Sequence, residues 1–435
     1  MYNKWIELGL AKGIKGLEIF VERNTNLRVT VYKGATDKCV KSDVERVRIR
    51  GIYRGKMASV NTEKLDDASI NALLDELISN AKALTVTEPA ILYKGANKYP
   101  KVEVATHDFN DVPLSKKIAL LVNFEANILK NKKVAQVQTV VYSENLSSTT
   151  IVNSKGLNVT RQNGYAYVYG VGVFGSGDDI QTAYDFKMVN NFNELDAEKL
   201  AKAVVKKGVA KLGGSSVKSG EYPVVFENEA FGNILATFFS VFSAEAAYRN
   251  LSPLKDKVGK QIATESFTLL DDPFYKKAFF KMAFDDEGVP CKKKKLIDKG
   301  VFTGFINNLK TAKLLGAKPT GNGFSNAISN TNLIVEPGKK QLKDLLLDAK
   351  NGIYIDSLSG LHVGCNTSSG DFSLQASGFA IKDGKLDHPV KMIVVSGNFY
   401  KLLFNVKGIG NDIKVDESGI GSPSIYAGNL VIGGM

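Results

Sequence analysis

Apolar and polar positions along this chain follow two rhythms, and the balance between them changes near its middle. Leu17, Ile19 and Val21, and then Leu27, Val29 and Val31, recur at every second position, the period of a half-buried strand. The polar triplet Asn24-Thr25-Asn26 between them predicts a turn, hence two strands. Val47, Ile49 and Tyr53 continue an antiparallel meander. Helical spacing takes over from about Asp67 to Leu84, where Ile70, Leu73, Leu74, Leu77, Ile78 and Ala81 form one stripe, and a shorter helix is expected from about Asn3 to Lys12. A polar, proline-containing loop runs from Thr87 to Pro113, followed by a helix near Leu114 to Asn131. Strands dominate from Val134 to Val189, with Tyr165, Tyr167 and Tyr169 on one side of an alternating run. An aromatic ladder on a half-buried sheet is the preferred reading of these tyrosines over a platform for bases or peptide side chains. A helix from about Asp196 to Leu212 closes this half.

Gly213-Gly214-Ser215-Ser216 is the best linker candidate, placing an N-terminal α+β domain at 1–213 and a β-rich domain at 220–435. The first is divisible into parts at about 1–90 and 110–213. Beyond Gly220 the spacing predicts a strand at Tyr222 to Phe226 and one long helix from Glu229 to Arg249, apolar through Ile234-Leu235-Ala236-Thr237-Phe238-Phe239. Strands follow at Gly352 to Ile355, Phe372 to Ile381 and Val390 to Val395, with an Asp383-Gly384 turn between the last two. The expected fold class is α+β: antiparallel sheets with packed helices in the N-terminal half, and in the C-terminal half a large, mainly antiparallel sheet or barrel around a buried apolar helix.

Composition narrows the classes. The 435 residues, 44% hydrophobic and 23% charged, suit a folded soluble chain of two or three domains. Glu7 lies where a signal peptide would be apolar, and no run of eighteen apolar residues occurs, so no membrane association and a cytoplasmic location are expected. Cys39, Cys291 and Cys365 are scattered, as free thiols would be. The net charge of +12 includes the run Lys292-Lys293-Lys294-Lys295, which reads as a solvated turn between Pro290 and Leu296. Without interleaved aromatics or a helix-turn-helix pattern, direct nucleic-acid binding is not expected, although acidic peptides could be attracted.

The chemistry concentrates in a near miss. Phe242-Ser243-Ala244-Glu245-Ala246-Ala247-Tyr248-Arg249-Asn250 has the outline of a zinc-protease helix, with Glu245 present and non-ligands at both places where histidine is needed. Downstream stand Asp285-Asp286-Glu287-Gly288-Val289-Pro290, Pro319-Thr320-Gly321-Asn322-Gly323, Gly360-Leu361-His362-Val363-Gly364-Cys365-Asn366, Ser369-Gly370-Asp371-Phe372-Ser373 and Gly410-Asn411-Asp412. In this order they resemble the C-terminal domain of the TldD/PmbA family, once described as modulators of DNA gyrase. The blocks from Gly360 to Ser373 point to its PmbA (TldE) branch.

That resemblance implies a zinc metallopeptidase family in which two histidines of HExxxH and a cysteine in a late glycine-rich loop bind the metal. Laid on this chain, the histidine positions become Ala244 and Arg249, and the late loop Asp416-Glu417-Ser418-Gly419-Ile420-Gly421-Ser422-Pro423 has no cysteine. An alanine methyl and a guanidinium offer no lone pair to a metal. No metal site and no cofactor are therefore expected in this chain, and zinc only in a TldD-type partner. Glu245 is preferred as a helix carboxylate paired with Arg249 over any catalytic role. His362, Cys365, Asn366 and Asp371 are candidates for a substrate cavity. His362 and Cys365 make at most a half-site for metal, and a buried histidine beside a small apolar cysteine is the preferred reading. His107 and His388 read as surface residues.

Three functions stay open. The first is a non-catalytic PmbA-type subunit that pairs with a TldD-type zinc protease and helps select extended or unfolded peptides, gripping them by strand addition. The second is a stand-alone homodimer that binds a peptide or another ligand. The third is a metallopeptidase with unrecognised ligands.

Overall fold

The computed structural model describes residues 1–63, 66–85, 88–103 and 107–435. Two compact units emerge, one of Met1–Leu212 with Asp286–Val289, the other of Gly213–Asp285 with Pro290–Met435.

The first unit is one six-stranded antiparallel sheet with helices on a single face. Its elements are α1 (Tyr2–Ala11), β1 (Gly16–Tyr32), β2 (Ala35–Tyr53), β3 (Lys56–Thr62), α2 (Ile70–Ala83), α3 (Leu114–Leu129), β4 (Val134–Asn153), β5 (Asn158–Ser176), β6 (Asp179–Val189) and α4 (Ala197–Ala210). The strand order is β3-β2-β1-β4-β5-β6. Two apolar clusters lie beneath the helices. Trp5, Leu17, Ile19, Ile49, Leu74 and Leu77 pack around α1 and α2, and Val29, Leu121, Phe124, Val140, Phe174 and Val204 around α3 and α4. Of the expected loop from Thr87 to Pro113, Thr87 and residues 104–106 lie outside the described residues. The rest is irregular apart from a helical turn at Phe109–Asp111.

The expected turn at Asn24-Thr25-Asn26 does not form. β1 runs unbroken for 17 residues, and these three pair with Val44, Asp43 and Ser42 on one side and with Ser147, Leu146 and Asn145 on the other. Ladders on both sides satisfy the backbone, and every odd position from Leu17 to Val31 keeps to one face, so polarity here marks a strand crossing open sheet and not a reversal. The opposite face carries the tyrosines. Tyr165, Tyr167 and Tyr169 stack along β5 with ring centroids 6.5 and 6.3 Å apart, Tyr167 also meets Phe186 of β6, and Arg28 donates to the hydroxyls of Tyr167 and Tyr169.

The second unit is built on a barrel. β7 (Gly220–Phe226) pairs with Gly352–Ser359 and Ile425–Gly433, and the strands Asp371–Lys382 and Lys385–Asn398 complete a ring closed by Val394–Ser396 against Val431–Gly433. Helix α5 (Asn228–Phe238) buries Phe231, Ile234, Leu235 and Phe238 in the main core, where Phe238 stacks on Phe399 at 4.4 Å. The fold is therefore α+β with a buried apolar helix in its barrel-bearing half.

The expected single helix from Glu229 to Arg249 is broken. α5 ends at Phe238, a tighter turn covers Phe239–Phe242, Ser243 is extended (φ −82°, ψ 133°), and a separate short helix α6 (Ala244–Tyr248) begins. Ser243 is the natural break, since its Oγ accepts the Glu245 N–H at 3.2 Å and so caps α6. The apolar periodicity carries through the break because Val241 and Phe242 remain buried.

Candidate functional site

Glu245 stands in the first turn of α6, on a backbone fixed by the Ser243 cap and by the Ala244 N–H donated to the Ile306 carbonyl at 2.8 Å. Ala244 is fully buried, so its methyl fills core. Arg249 Nε donates to Glu245 Oε1 at 2.7 Å, the pair expected from four-residue spacing, and Lys310 Nζ lies 3.5 Å from the other oxygen. Sequence reasoning missed Lys310, which comes from a different helix and carries no local signal. The carboxylate thus faces two cations, and both positions where a zinc ligand would be needed hold a buried methyl and an ion-paired guanidinium. These residues do not fit a zinc ion. Among the described residues no three His, Cys, Asp or Glu side chains gather as a metal site.

The candidates from Gly360 to Ser373 form a second group. Gly360 (φ 80°) starts a one-turn helix, Leu361–Gly364, packed beside α5. Leu361 and Cys365 turn toward the main core, while His362 is exposed. The buried-histidine reading is thereby corrected: with Leu361 turned inward, a rotation of about 100° per residue carries His362 round to solvent, and Cys365 turns back to the core from the extended residue after the helix. Burial pushes the Cys365 thiol up from its ordinary value, which lowers its thiolate fraction and its reactivity near neutral pH. Asn366 Oδ1 accepts the N–H groups of Ser368 and Ser369 and so folds the loop back. Asn398 donates to Asp371 and to the Ser369 carbonyl, each at 2.8 Å, and Tyr400 to the Thr367 carbonyl at 2.6 Å. Asn398 and then Ser369 hold the Asp371 carboxyl below the usual carboxylate range. Gly370 (φ 87°) is required here, because a Cβ would come within 2.4 Å of the Tyr400 ring. His362, Cys365, Asn366 and Asp371 thus share one tied loop, and none of their recorded polar contacts is with Glu245.

The remaining motif blocks are internal struts. Asp271 accepts from Lys294 and Asn322 at 2.7 Å and from the backbone and hydroxyl of Thr331 at 2.7 Å, while Thr320 donates to Asn322 and Asp285 accepts the Gly323 N–H at 2.8 Å. Gly321 (φ 74°) lies so close to Pro290 that a Cβ would be 2.6 Å from its carbonyl oxygen. Asp412 accepts from the Ser424 backbone and hydroxyl at 2.9 and 2.6 Å. The expected solvated turn at Lys292–Lys295 is also corrected. Lys294 and Lys295 open a strand, Lys294 is partly buried against the fully buried Asp271, and Lys293 and Lys295 pair with Asp272 and Asp298. The alternation of the strand turns one lysine inward and leaves its neighbours at the surface. In the late loop, Asp416 Oδ1 accepts from Ser418 and Ile420, closing a turn through Gly419 (φ 80°). Cys39 is exposed and Cys291 buried, both as free thiols; His107 and His388 are exposed. No helix among the described residues is long and apolar enough to cross a membrane.

Three family models cover most of the chain: the PmbA/TldA metallopeptidase domain 1 at residues 17–81, the central domain at 107–212 and the C-terminal domain at 219–434. A metalloprotease of Methanothermobacter thermautotrophicus is 29% identical over 68% of this chain and 69% of its own length. Among solved structures, a Thermotoga maritima protein described as a candidate modulator of a DNA gyrase is 28% identical, with a TM-score of 0.93 over 99% of both chains. TldE from Thermococcus kodakarensis is 26% identical, with a TM-score of 0.90 over 100% of both.

Proposed function

The chain belongs to the PmbA/TldD metallopeptidase family, and from that premise we propose that it is a PmbA/TldE-type subunit without a zinc of its own, pairing with an HExxxH-bearing TldD-type chain in the proteolysis of small or unfolded peptides. The observation that carries this reading is the state of the three positions where the family resemblance puts ligands. Ala244 is core, Arg249 is tied to Glu245, and the turn after Asp416 offers no thiolate. A catalytic zinc needs about three protein ligands and an open position for the water it activates. Glu245, held between Arg249 and Lys310, has no such water to deprotonate.

The fold supports a peptide-handling role for what is left. β3 and β6 end the large sheet, and their outer backbone groups suit strand addition by an extended peptide, which needs little side-chain reading. Reconstitution is the test. The purified chain should carry no stoichiometric zinc and leave an unstructured peptide intact, and mixing with a TldD-type chain should produce cleavage that a chelator stops and Glu245→Ala leaves unchanged. Chelator-sensitive cleavage by this chain alone would overturn the reading. Peptide capture by a homodimer, with no effect on any HExxxH chain, would replace it with the stand-alone binder.

A further inference from the structure

On the face of the large sheet opposite its helices, three cross-strand pairs stand in line: Glu18 with Arg50, Phe20 with Arg48 and Glu22 with Arg46. The two outer arginines of this row are each ion-paired. Arg50 is buried and donates to Glu18, which also accepts from Asn153, and Arg46 pairs at the surface with Glu63. Arg48, between them, is different. Its guanidinium lies over the Phe20 ring at 4.5 Å, and among the described residues it is in no ion pair, with Asp286, Glu18 and Glu22 acting on it only at longer range. Arg48 Nε and Arg50 Nη2 are both buried donors that no acceptor among the described residues reaches. Burial, and then the neighbouring Arg50 charge, pull the Arg48 guanidinium down from its ordinary value, against the opposing pull of Asp286, Glu18 and Glu22.

Arg48 also faces space. A cavity of about 380 Å³ is lined by Phe20, Glu22, Arg46, Arg48, Asn61 and Glu63, with Val47 and Thr62 beside them. That volume falls in the range of small-ligand pockets. A guanidinium held over an aromatic ring with its Nε unmet is suited to a planar two-oxygen acceptor. The polar lining selects further. Arg46 and Glu63 cancel, and of the other charged lining groups Arg48 and Glu22 are in no ion pair among the described residues. The lining is then neutral in sum with its charges set apart, which matches a ligand that brings a carboxylate to Arg48 and N–H groups to Glu22, whereas a dianion such as phosphate meets stronger repulsion from Glu22. Asn61 and Glu22 can accept N–H groups adjoining the bound charge.

We propose that this cavity binds an α-carboxylate flanked by N–H groups, the C-terminal end of a peptide or a free amino acid, with Arg48 as the carboxylate anchor. The peptide source rests on the peptide-handling role proposed above; the carboxylate chemistry does not. A chain end held here would fix the direction in which an extended peptide lies on the sheet.

The test uses the full chain and a fluorescein-labelled unstructured peptide, as free acid and as C-terminal amide, followed by fluorescence anisotropy. The free acid binds about tenfold or more tighter than the amide, the difference expected for one charge-assisted fork. Arg48→Met brings the acid to the level of the amide. Glu22→Gln makes inorganic phosphate a better competitor, a gain that misfolding cannot mimic. Competition by free leucine equal to that of the peptide assigns the site to an amino acid, and competition by the peptide alone assigns it to a chain end; both uphold the carboxylate. Equal affinity for acid and amide, or an unchanged preference in Arg48→Met, overturns the proposal. Because no partner and no cleavage enter the measurement, its failure is separate from failure of the reconstitution.

Discussion

Two arginine–glutamate groups in this molecule answer opposite questions. On α6, Arg249 and Lys310 close around Glu245 in a half-exposed setting, and every charge there has a partner on the protein itself. On the sheet face opposite the helices, Arg50 and Glu18 make a buried pair, yet among the described residues no acceptor reaches a buried donor on Arg50 or one on neighbouring Arg48, which lines a cavity. The sequence motif draws attention to the first group, and its geometry shows a site whose valences are used up. The second has no motif and has valence to spare. Chemical readiness is better judged by what a group has left to bond than by which residue types it contains.

The largest effect should come from breaking the buried pair. Glu18→Gln, which leaves the Arg50 charge in a site with 11% of that side chain exposed, should lower unfolding stability by about 3–5 kcal/mol, read as a fall in the denaturant midpoint. The double change Glu18→Met, Arg50→Met should recover much of that loss, since the cost lies in an unpaired charge. A smaller loss is expected on α6 for Ala244→His. Ala244 is wholly buried, and fitting an imidazole there should cost about 1–3 kcal/mol by overpacking, measured as a lower melting temperature. This variant separates a drifted ligand position from one that still has room for histidine.

Removing the α6 ion pair should matter least to stability. Arg249→Ala leaves Glu245 partly solvated and beside Lys310, so the change should stay at about 0.5 kcal/mol or below. A surface carboxylate gives a pH control for both groups. Lys4 first, and then the indole N–H of Trp5, depress the Asp67 carboxyl below the usual carboxylate range. With the folded value depressed, the stabilisation is in full above the unfolded value of about 4 and disappears as pH falls through the folded value. Trp5 is the single tryptophan, so its fluorescence should be flat near neutral pH and change only at pH below about 4, with Asp67→Asn abolishing that step.

How far the chain could be read in advance depended on the range of the forces involved. Periodicity located α2 within three residues at its start and one at its end, because an apolar stripe is a local pattern set by one core beneath it. The break at Ser243 was hidden for a related reason: Val241 and Phe242 keep the apolar sequence going across a change of backbone. Asn24-Thr25-Asn26 misled in the other direction, since turn-forming residues extend readily once a neighbouring strand lies on each side. At the candidate site, the absence of ligands and the Glu245–Arg249 pair were both legible, one from residue identity and the other from helix spacing. Lys310, Asn398 and Tyr400 were not, because each reaches its partner from another element.

The sequence by itself determined the family, the α+β class, the buried apolar helix and the absence of metal-donor side chains at Ala244 and Arg249. These follow from residue identity and short-range periodicity, which no folding event alters. Tertiary structure alone decided that Lys294 is an internal strut, that His362 points out while Cys365 turns in, and that Arg46, Arg48 and Arg50 face Glu22, Phe20 and Glu18 across a strand pair. Register and burial set which charges meet and which go unmet, and both are properties of strands brought together from distant parts of the chain.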